Sequence, residues 1–137
     1  MDQFIHILSQ SGHRITRTRT TIFQLLLDSP SPLLTAEIAS QCTNVDRVSV
    51  YRTMELFTEL GVVHQIPRGW KHVYELADPF QPHHHHFSCN ACGSVISLES
   101  PQLEATLQNI ANKHGFVATS HTFELRGTCK ACRARSN

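Results

Sequence analysis

The sequence predicts an α+β protein in two small parts, a helical half that ends in a β-hairpin and a second half that combines strands with one helix. Three observations carry this prediction. Up to Leu60, apolar residues recur at the three- and four-residue intervals of helices. Two strand-like runs follow. The second half then contains a histidine run and two Cys-x-x-Cys pairs, which are typical of metal-binding domains.

The composition is that of a small globular protein. The chain has 137 residues, of which 40% are hydrophobic and 17% charged. Its net charge of +1 means that any affinity for nucleic acid depends on local clusters of basic residues. The sequence shows no signal peptide and no apolar run of membrane-spanning length, so we expect a cytoplasmic, reducing location and no membrane partner. Each half has room for only a thin core, and such cores often need a metal or a partner subunit.

Four helices are predicted in the first half from apolar spacing and capping residues. The fourth is the best defined, because Val50, Met54 and Phe57 recur at helical intervals. Gly61 follows it, where a helix C-terminus favours glycine. The four helices are expected from Phe4 to about Gly12, from Thr16 to Leu27, from a Thr35 cap onward, and from about Asp46 to Leu60.

A β-hairpin is expected directly after the fourth helix, with strands from Val62 to Ile66 and from His72 to Leu76. A helix-turn-helix followed by such a hairpin is the pattern of a winged helix-turn-helix domain. The segment after the hairpin has two prolines and no periodicity, which predicts a hinge. The predicted division is 1–78 for the winged helix, 79–82 for the hinge and 83–137 for the second domain.

One helix and a following strand are expected after the cysteine-containing start of the second domain. The helix is expected to be capped by Ser100 and to end at Gly115, and a strand is expected from Phe116 to Gly127. The apolar stripe of the helix would consist of Leu103, Leu107, Ile110 and Ala111.

Basic and hydroxyl side chains cluster at the start of the second helix and along the fourth. Phosphate contacts need such groups on one face, and base recognition needs a few side chains near the start of a helix. A solvated helix with routine charges is the alternative, since acidic residues follow later on the fourth helix. The predicted contacts with double-stranded DNA are Arg19, Ser49, Tyr51 and Arg52.

Four of the five cysteines form two Cys-x-x-Cys pairs, which predict a structural zinc site. In a reducing compartment, paired thiols indicate metal ligands rather than disulfides. Four thiolates make a closed tetrahedral set without an open position for catalysis, although redox-active or unbound thiols are the alternative. The fifth, Cys42, lies in an apolar helical stretch and is interpreted as a small buried hydrophobic residue. The predicted zinc ligands are Cys89, Cys92, Cys129 and Cys132.

The run of four histidines offers ligands on two sides. Alternate side chains of a strand point to opposite faces, so His83 pairs with His85, and His84 with His86. Along such a strand, His83 and Cys89 would lie roughly 20 Å apart, too far to share one ion bound at about 2 Å. Two histidine sites separate from the cysteine site are therefore predicted. A solvated histidine tract is the alternative, and spacing alone does not choose the partner ligands.

In their order along the chain, these motifs resemble those of the ferric uptake regulator family. The resemblance implies a homodimeric, metal-dependent repressor of operator DNA, with an N-terminal winged helix and a small C-terminal α/β dimerisation domain that holds structural zinc. It covers nearly the whole chain. The matching stretches are Thr16–Arg19, Ser49–Arg52, Val73–Leu76, His83–Gly93, Leu103–Ala105, Ala111–Gly115 and the final Cys-x-x-Cys pair.

The resemblance also implies two metal sites besides the structural zinc. His64 is assigned to the regulatory site because it falls where zinc uptake regulators place a ligand. The regulatory site would consist of His64, Glu75, His84 and His86. The third site would consist of His83, His85, Glu104 and His121, with His85 standing where the family often has Asp.

Three departures from the family pattern bear on which metal is sensed. Iron-sensing members usually carry a histidine where this chain has Leu33 and an acidic residue where it has Ser97. Zinc regulators, in turn, commonly carry cysteine where this chain has Glu75. A four-ligand set favours Zn²⁺ over Fe²⁺, while iron-sensing, peroxide-sensing and other-metal regulators remain alternatives.

An enzyme and a metal buffer are the competing classes. A zinc hydrolase needs an open metal site and a positioned general base, and the sequence contains no His-Glu-x-x-His motif. The arginine-rich helical half argues against a metal buffer without a role on DNA. We therefore expect neither enzymatic activity nor a small-molecule substrate.

Overall fold

A computed structural model describes residues 1–135 of the chain, which divides into two compact units. The first unit is Met1–Pro82, and the second begins at His83. The segment 79–82 is counted with the first unit, where Phe80 packs edge-on against Phe23 with ring centroids 5.0 Å apart. Whether this segment acts as a hinge stays a prediction.

Four helices build the first unit, as predicted. They are α1 (Asp2–Gln10), α2 (Arg17–Asp28), α3 (Thr35–Gln41) and α4 (Arg47–Glu59). Thr16 and Asp46 cap α2 and α4, because their side chains accept hydrogen bonds from backbone N–H groups of the first turn. The predicted Thr35 cap of α3 is wrong. Thr35 is the first helical residue, the N-cap is Leu34, and the Glu37 carboxylate accepts the Leu34 N–H at 2.7 Å.

A three-stranded antiparallel sheet completes the first unit. It consists of β1 (Leu33–Leu34), β2 (Val63–Arg68) and β3 (Lys71–Leu76), in the order β1-β3-β2. The hairpin of β2 and β3 extends further toward its turn than predicted, because Arg68 pairs with Lys71. Only Gly69 and Trp70 remain in the turn, with Gly69 at a φ of +61°. The two-residue β1 was not predicted, since it is too short to show a period.

The hydrophobic core of the molecule lies in the first unit. Phe4 stacks on Phe23 with ring centroids 4.1 Å apart and meets Phe57 edge-on at 5.5 Å. Cys42 is 4% exposed within this core, which confirms its interpretation as a small buried hydrophobic residue. The core buries the inner face of α4 and leaves its outer face in solvent. The α4 residues buried are Val50, Thr53, Met54, Leu56 and Phe57.

The second unit contains a mixed three-stranded sheet and two helices. In chain order these are β4 (His85–Cys89), β5 (Val95–Leu98), α5 (Pro101–Lys113), β6 (Glu124–Gly127) and α6 (Lys130–Arg135). The strand order is β5-β4-β6, with β4 antiparallel to β5 and parallel to β6. Ser100 caps α5 as predicted, since its hydroxyl accepts the Leu103 N–H at 3.3 Å. Within residues 1–135, no helix combines the length and apolar character that crossing a membrane requires.

Two strand predictions in this unit were wrong in extent. The strand expected from Phe116 to Gly127 is limited to β6, and residues 116–123 form no regular structure. Alternating residues predict an extended chain, but a strand also needs a neighbour, and β6 finds one only where Glu124 to Gly127 align with β4. Likewise, β4 begins at His85 rather than His83. The six-residue α6 was not predicted.

The interior of the second unit is made of polar and sulfur-containing side chains. Between His83 and Arg135, no aliphatic side chain and no Phe, Tyr or Trp is buried. The apolar stripe predicted on α5 is only half-buried at Leu103 and Leu107, and Ile110 is 52% exposed. The buried residues are His85, His86, Ser88, Cys89 and Cys132.

Candidate metal centres and DNA-binding surface

The four predicted zinc ligands converge at one end of the second sheet. Their sulfur atoms lie within 4.8 Å of one another, and the Cys92 and Cys129 sulfurs are 3.9 Å apart. Zn–S bonds of about 2.3 Å in a tetrahedron place sulfurs about 3.8 Å apart, so the spacing fits one zinc ion. The cluster consists of Cys89, Cys92, Cys129 and Cys132.

Local structure brings these cysteines together from both ends of the unit. Cys89 ends β4, and the turn after it places Gly93 at a φ of +71°, a conformation that glycine adopts without strain. The Gly93 N–H donates to the Cys89 carbonyl at 2.8 Å, which turns Cys92 back toward the strand. Because β6 runs beside β4, Cys129 arrives next to Cys89 and donates its backbone N–H to the Cys89 sulfur at 3.3 Å.

The thiols of this cluster differ in acidity. Hydrogen bonds from backbone N–H groups, that of Cys129 first, lower the pKa of Cys89 to about 6. The Arg135 guanidinium lowers the pKa of Cys132, but neighbouring thiols and burial outweigh it and raise that pKa to about 11. The protein's own groups therefore do not keep all four cysteines in the thiolate form at neutral pH. A bound Zn²⁺ would supply the missing positive charge.

Three imidazoles and one carboxylate form a second cluster, beside α5. The His85 Nε2 lies 2.6 Å from the Glu104 Oε1, and the His83 Nε2 lies 3.0 Å from the His121 Nε2. The His121 and His83 Nε2 atoms approach the Glu104 carboxylate at 3.3 and 3.5 Å. Glu104 stands in the first turn of α5, which Ser100 caps. The structure thus brings together all four residues predicted for the third site.

The geometry of this second cluster fits a tetrahedral ion. Ligands bound to Zn²⁺ at about 2.05 Å lie about 3.3 Å from one another, close to the separations of 2.6 to 3.5 Å seen here. The hydrogen bond from His85 and the charges of His121 and His83 lower the pKa of Glu104, so its carboxylate is ionised at neutral pH. His85 is 2% exposed, whereas the His83 side chain is 40% exposed, so the site is open to solvent on one side.

The other two histidines of the run form a separate pair. The rings of His84 and His86 are 4.8 Å apart, and so are those of His83 and His85. The alternation predicted for this run therefore holds, although regular strand pairing begins only at His85. His86 lies within β4 and is 9% exposed. These two imidazoles are the second-unit members of the predicted regulatory site.

The two remaining predicted regulatory ligands belong to the hairpin of the first unit. His64 and Glu75 lie directly opposite each other in the β2–β3 register, so their side chains leave the same face. Glu75 is 6% exposed, whereas His64 is exposed. Within residues 1–135, the His64 imidazole is in no group of three or more ligand atoms lying within 4.8 Å of one another. Its place in the regulatory site stays a prediction.

Two positions near these ligands carry no metal donor of the kind found in iron-sensing members. Ser97 lies directly opposite His86 in the β4–β5 register, so an acidic side chain at this position would stand beside the imidazole. Leu33 lies in β1 and packs against the core of the first unit. Ser97 therefore occupies a paired strand position and Leu33 a position against the core, and neither side chain supplies a metal donor.

The outer face of α4 offers the groups expected of a DNA-reading helix. Tyr51, Arg52 and Arg47 are exposed on its first turns. The Arg47 guanidinium lies 5.7 Å over the Tyr51 ring and donates to its hydroxyl at 3.4 Å. Arg47 was not among the predicted contacts, although its spacing of four residues from Tyr51 places both on one face. Val48 is 59% exposed on the same turn.

The other two predicted DNA contacts lie at the starts of helices. Ser49 is half-buried, and its backbone N–H donates to the Asp46 carboxylate at 2.9 Å. Arg19 is half-buried in the first turn of α2, and its guanidinium donates to the Arg14 carbonyl. Arg19 thus braces the loop between α1 and α2 in addition to any contact with phosphate.

A helix-turn-helix with a hairpin wing, in one chain with clustered cysteines, histidines and a carboxylate, defines the class of metal-dependent DNA-binding regulators. The sequence profile of the ferric uptake regulator family matches residues 10–126. The chain belongs to the ferric uptake regulator family. Members of this family are metal-responsive transcriptional repressors that bind DNA as dimers, and they are not enzymes.

Individual relatives differ in the metal that they are named for. The ferric uptake regulation protein of Campylobacter jejuni is 35% identical, and the match covers 96% of this chain and 87% of the relative. The zinc uptake regulation protein of Mycobacterium tuberculosis is 36% identical, with 93% and 100% covered. Among solved structures, the Vibrio cholerae ferric uptake regulator has a TM-score of 0.71 and 29% identity, over 89% of this chain and 96% of that one.

Proposed function

We propose that the chain is a zinc-responsive repressor that acts in the cytoplasm, binds operator DNA as a homodimer and controls metal-uptake genes. The observation that carries this proposal is the nitrogen-rich set of donors along the histidine run. His84 and His86 supply two imidazoles to the predicted regulatory site, and Ser97 places no carboxylate beside His86. Four-coordinate sites rich in nitrogen suit Zn²⁺, whereas Fe²⁺ in this family draws on five or six donors.

The four-cysteine cluster would hold a structural Zn²⁺. Sulfur spacing close to that of a tetrahedral site and the lowered pKa of Cys89 support this assignment. The ion would join the end of β4 to α6 and supply no catalytic chemistry, because four thiolates fill its coordination. The second four-ligand set, formed by His83, His85, Glu104 and His121, would hold another divalent ion.

The regulatory ion would be held by His84 and His86 with Glu75 and His64. These residues stand on both sides of segment 79–82 in the sequence, so a shared ion would link the two parts of the chain. Ion binding can switch on DNA binding only if the ion binds the DNA-competent form more tightly than the other form. On DNA, Tyr51 and Arg52 would contact bases, while Arg19 and Ser49 would contact the backbone. Arg47, whose guanidinium lies over the Tyr51 ring, would join them.

Iron sensing is the alternative within the same family. It is favoured by Glu75, which supplies a carboxylate where zinc regulators commonly have cysteine, and by the ferric uptake regulation protein of C. jejuni, which is about as similar as the zinc regulator. A peroxide-responsive repressor from Staphylococcus epidermidis is less similar, at 28% identity. Iron sensing does not account for Ser97, which places no carboxylate beside His86.

A metal titration of DNA binding tests the zinc assignment. The duplex is one selected from a random pool by the metal-loaded protein, and Zn²⁺ and Fe²⁺ are titrated in parallel without oxygen. We expect Zn²⁺ to switch on binding at the lower free concentration, and His64→Ala to raise the zinc required. His72→Ala, which changes another exposed wing histidine, is the control and should leave the zinc requirement unchanged. Activation by Fe²⁺ at the lower concentration, with a silent His64→Ala, would assign iron instead.

A further inference from the structure

Trp70 stands at the tip of the β2–β3 hairpin and is wholly exposed. Its relative exposure of 104% is the highest among the large hydrophobic side chains within residues 1–135. An indole left in water forfeits the stabilisation that burial of an aromatic side chain provides. The tip is also tightly built, because Arg68 pairs with Lys71 and Gly69 takes a φ of +61°. The ring is therefore presented on a short turn rather than on a long loop.

The charged residues of the hairpin next to Trp70 are all basic. Arg68 and Lys71 flank the turn, and the exposed His72 follows on β3. The sequence contains no Asp or Glu from Gly61 to Tyr74, so no acidic residue of the hairpin neutralises this charge before Glu75 at its base. An exposed aromatic ring among unopposed cations is complementary to a polyanion that also offers flat or apolar surface, and DNA has both properties.

The hairpin has a length suited to the spacing of DNA grooves. It starts at the end of α4, where the Val62 N–H donates to the Phe57 carbonyl at 2.8 Å. Six residues of β2 extend about 20 Å at the rise of a strand. Half of a roughly 34 Å helical turn, about 17 Å, separates a major groove from the neighbouring minor groove. With α4 in a major groove, the tip can therefore reach the minor groove beside it.

We propose that Trp70 enters the minor groove next to the major groove occupied by α4, while Arg68 and Lys71 contact the flanking phosphates. This inference rests on the proposed DNA-binding function. A flat ring fits a groove about 6 Å wide, and the indole Nε1–H is a donor only. A·T pairs present only acceptors in the minor groove, whereas G·C pairs add the guanine amino donor. Trp70 therefore selects A·T pairs at the flanks of the operator.

The fluorescence of the protein itself reports this contact, because Trp70 is the only tryptophan of the chain. The full-length, zinc-loaded protein is titrated with the duplex selected from a random pool, and complex formation is followed in parallel by gel shift. We expect the emission of Trp70 to be quenched or shifted as the duplex saturates. No substitution is needed, so the folding of a variant does not affect the result.

Three substitutions then assign the contact. Trp70→Ala should weaken binding of the selected duplex about tenfold, since it removes an aromatic contact with the bases. Replacing the flanking A·T pairs with G·C should weaken the parent protein several-fold and leave Trp70→Phe, which lacks the donor, almost unaffected. Lys71→Ala should reduce the slope of log affinity against log salt concentration by about one unit. Lys113→Ala on α5 is the matched control and should leave this slope unchanged.

The outcomes separate this inference from the proposed function. Unchanged Trp70 emission at saturation, together with parental affinity of Trp70→Ala, would overturn the inference while leaving DNA binding intact. If the pool yields no metal-dependent duplex, the proposed function fails. The same fluorescence titration with unselected duplexes at low salt then decides whether Trp70 contacts DNA at all. A shift on anionic phospholipid vesicles but not on DNA would also overturn the inference.

Discussion

Glu104 is the one carboxylate in the second candidate metal cluster. It lies within hydrogen-bonding distance of His85 and His121, and His83 approaches it at 3.5 Å. Its pKa is lowered, first by the His85 hydrogen bond and then by the nearby imidazoles. An ionised carboxylate with three convergent imidazole nitrogens has the composition and spacing of a metal-ligand set, because nitrogens at these separations suit a shared cation.

Substitution of Glu104 should remove one metal ion without unfolding the protein. Glu104→Gln keeps the size of the side chain but loses its charge, and we expect bound metal to fall by about one ion per chain. Glu99→Gln is the matched control, since Glu99 is an exposed carboxylate just before α5 and belongs to no ligand group found within residues 1–135. Metal is counted by elemental analysis of purified protein. Equal metal content in the two variants would argue against an ion at this cluster.

Ser97 is the residue through which the choice of metal can be tested. It lies directly opposite His86, at a Cβ separation of about 5 Å for such pairs. Ser97→Asp restores the carboxylate that iron-sensing members usually carry, and we expect it to lower the Fe²⁺ needed for DNA binding about tenfold relative to Zn²⁺. Ser97→Asn is the neutral control. If the Ser97→Asp and Ser97→Asn proteins need the same free Fe²⁺ concentration for DNA binding without oxygen, Ser97 does not adjoin the regulatory ion.

At the scale of elements, α4 shows what spacing can predict. Its apolar period predicted its inner face, and its expected start near Asp46 was right to within one residue, so the exposed face with Tyr51 and Arg52 followed directly. The orientation of Arg47 over the Tyr51 ring did not follow, because it depends on side-chain rotamers. Helical periodicity therefore predicts which residues face solvent, but not how their side chains are arranged.

The second sheet shows where sequence patterns are insufficient. The four cysteines could be grouped from their spacing, but the partners of His83 and His85 could not. They depend on the parallel pairing of β4 with β6, which brings the chain near His121 back beside the histidine run. Alternation predicted β6 as much longer than it is, since sequence does not reveal where a neighbouring strand begins. Pairing between distant segments is the information that was missing.

The two helices proposed to contact DNA, α2 and α4, should contribute differently to recognition. Tyr51→Ala should weaken binding to the selected duplex more than to random DNA, because it removes a side chain positioned for base contact. Arg19→Ala should weaken both alike and reduce the salt dependence by about one unit. Arg133→Ala on α6 is the charge control. Gel shifts over a salt series measure the affinities of all three variants. A Tyr51→Ala protein with parental selectivity would show that α4 does not read bases in the major groove.

At the scale of the whole molecule, the two units are stabilised in different ways. The first has a core of aromatic and aliphatic side chains, whereas residues 83–135 bury no aliphatic side chain and none of Phe, Tyr or Trp. Apolar surface remains on α5 at Ile110 and just beyond it at Phe116 and Val117, which are 71% and 86% exposed. A unit of this size with so little buried apolar surface needs other sources of stability. Dimerisation through this surface and metal binding would supply them.

Loss of the zinc ion proposed for the four-cysteine cluster should therefore unfold or dissociate the second unit while leaving the first one folded. A structural zinc site contributes about 10 to 16 kcal/mol of apparent binding free energy, which the few buried groups of this unit cannot replace. Cys92→Ser should lose zinc, lower the thermal midpoint and shift the mass by light scattering from dimer toward monomer.

Cys42→Ser is the matched control, because it places the same hydroxyl in the core of the first unit. It should cost only about 1 to 2 kcal/mol of stability, with zinc and dimer retained. A strong chelator should reproduce the Cys92→Ser result in the parent protein and in Cys42→Ser. A Cys92→Ser protein that stays dimeric with parental stability would show that apolar contacts alone hold the second unit, contrary to its buried composition.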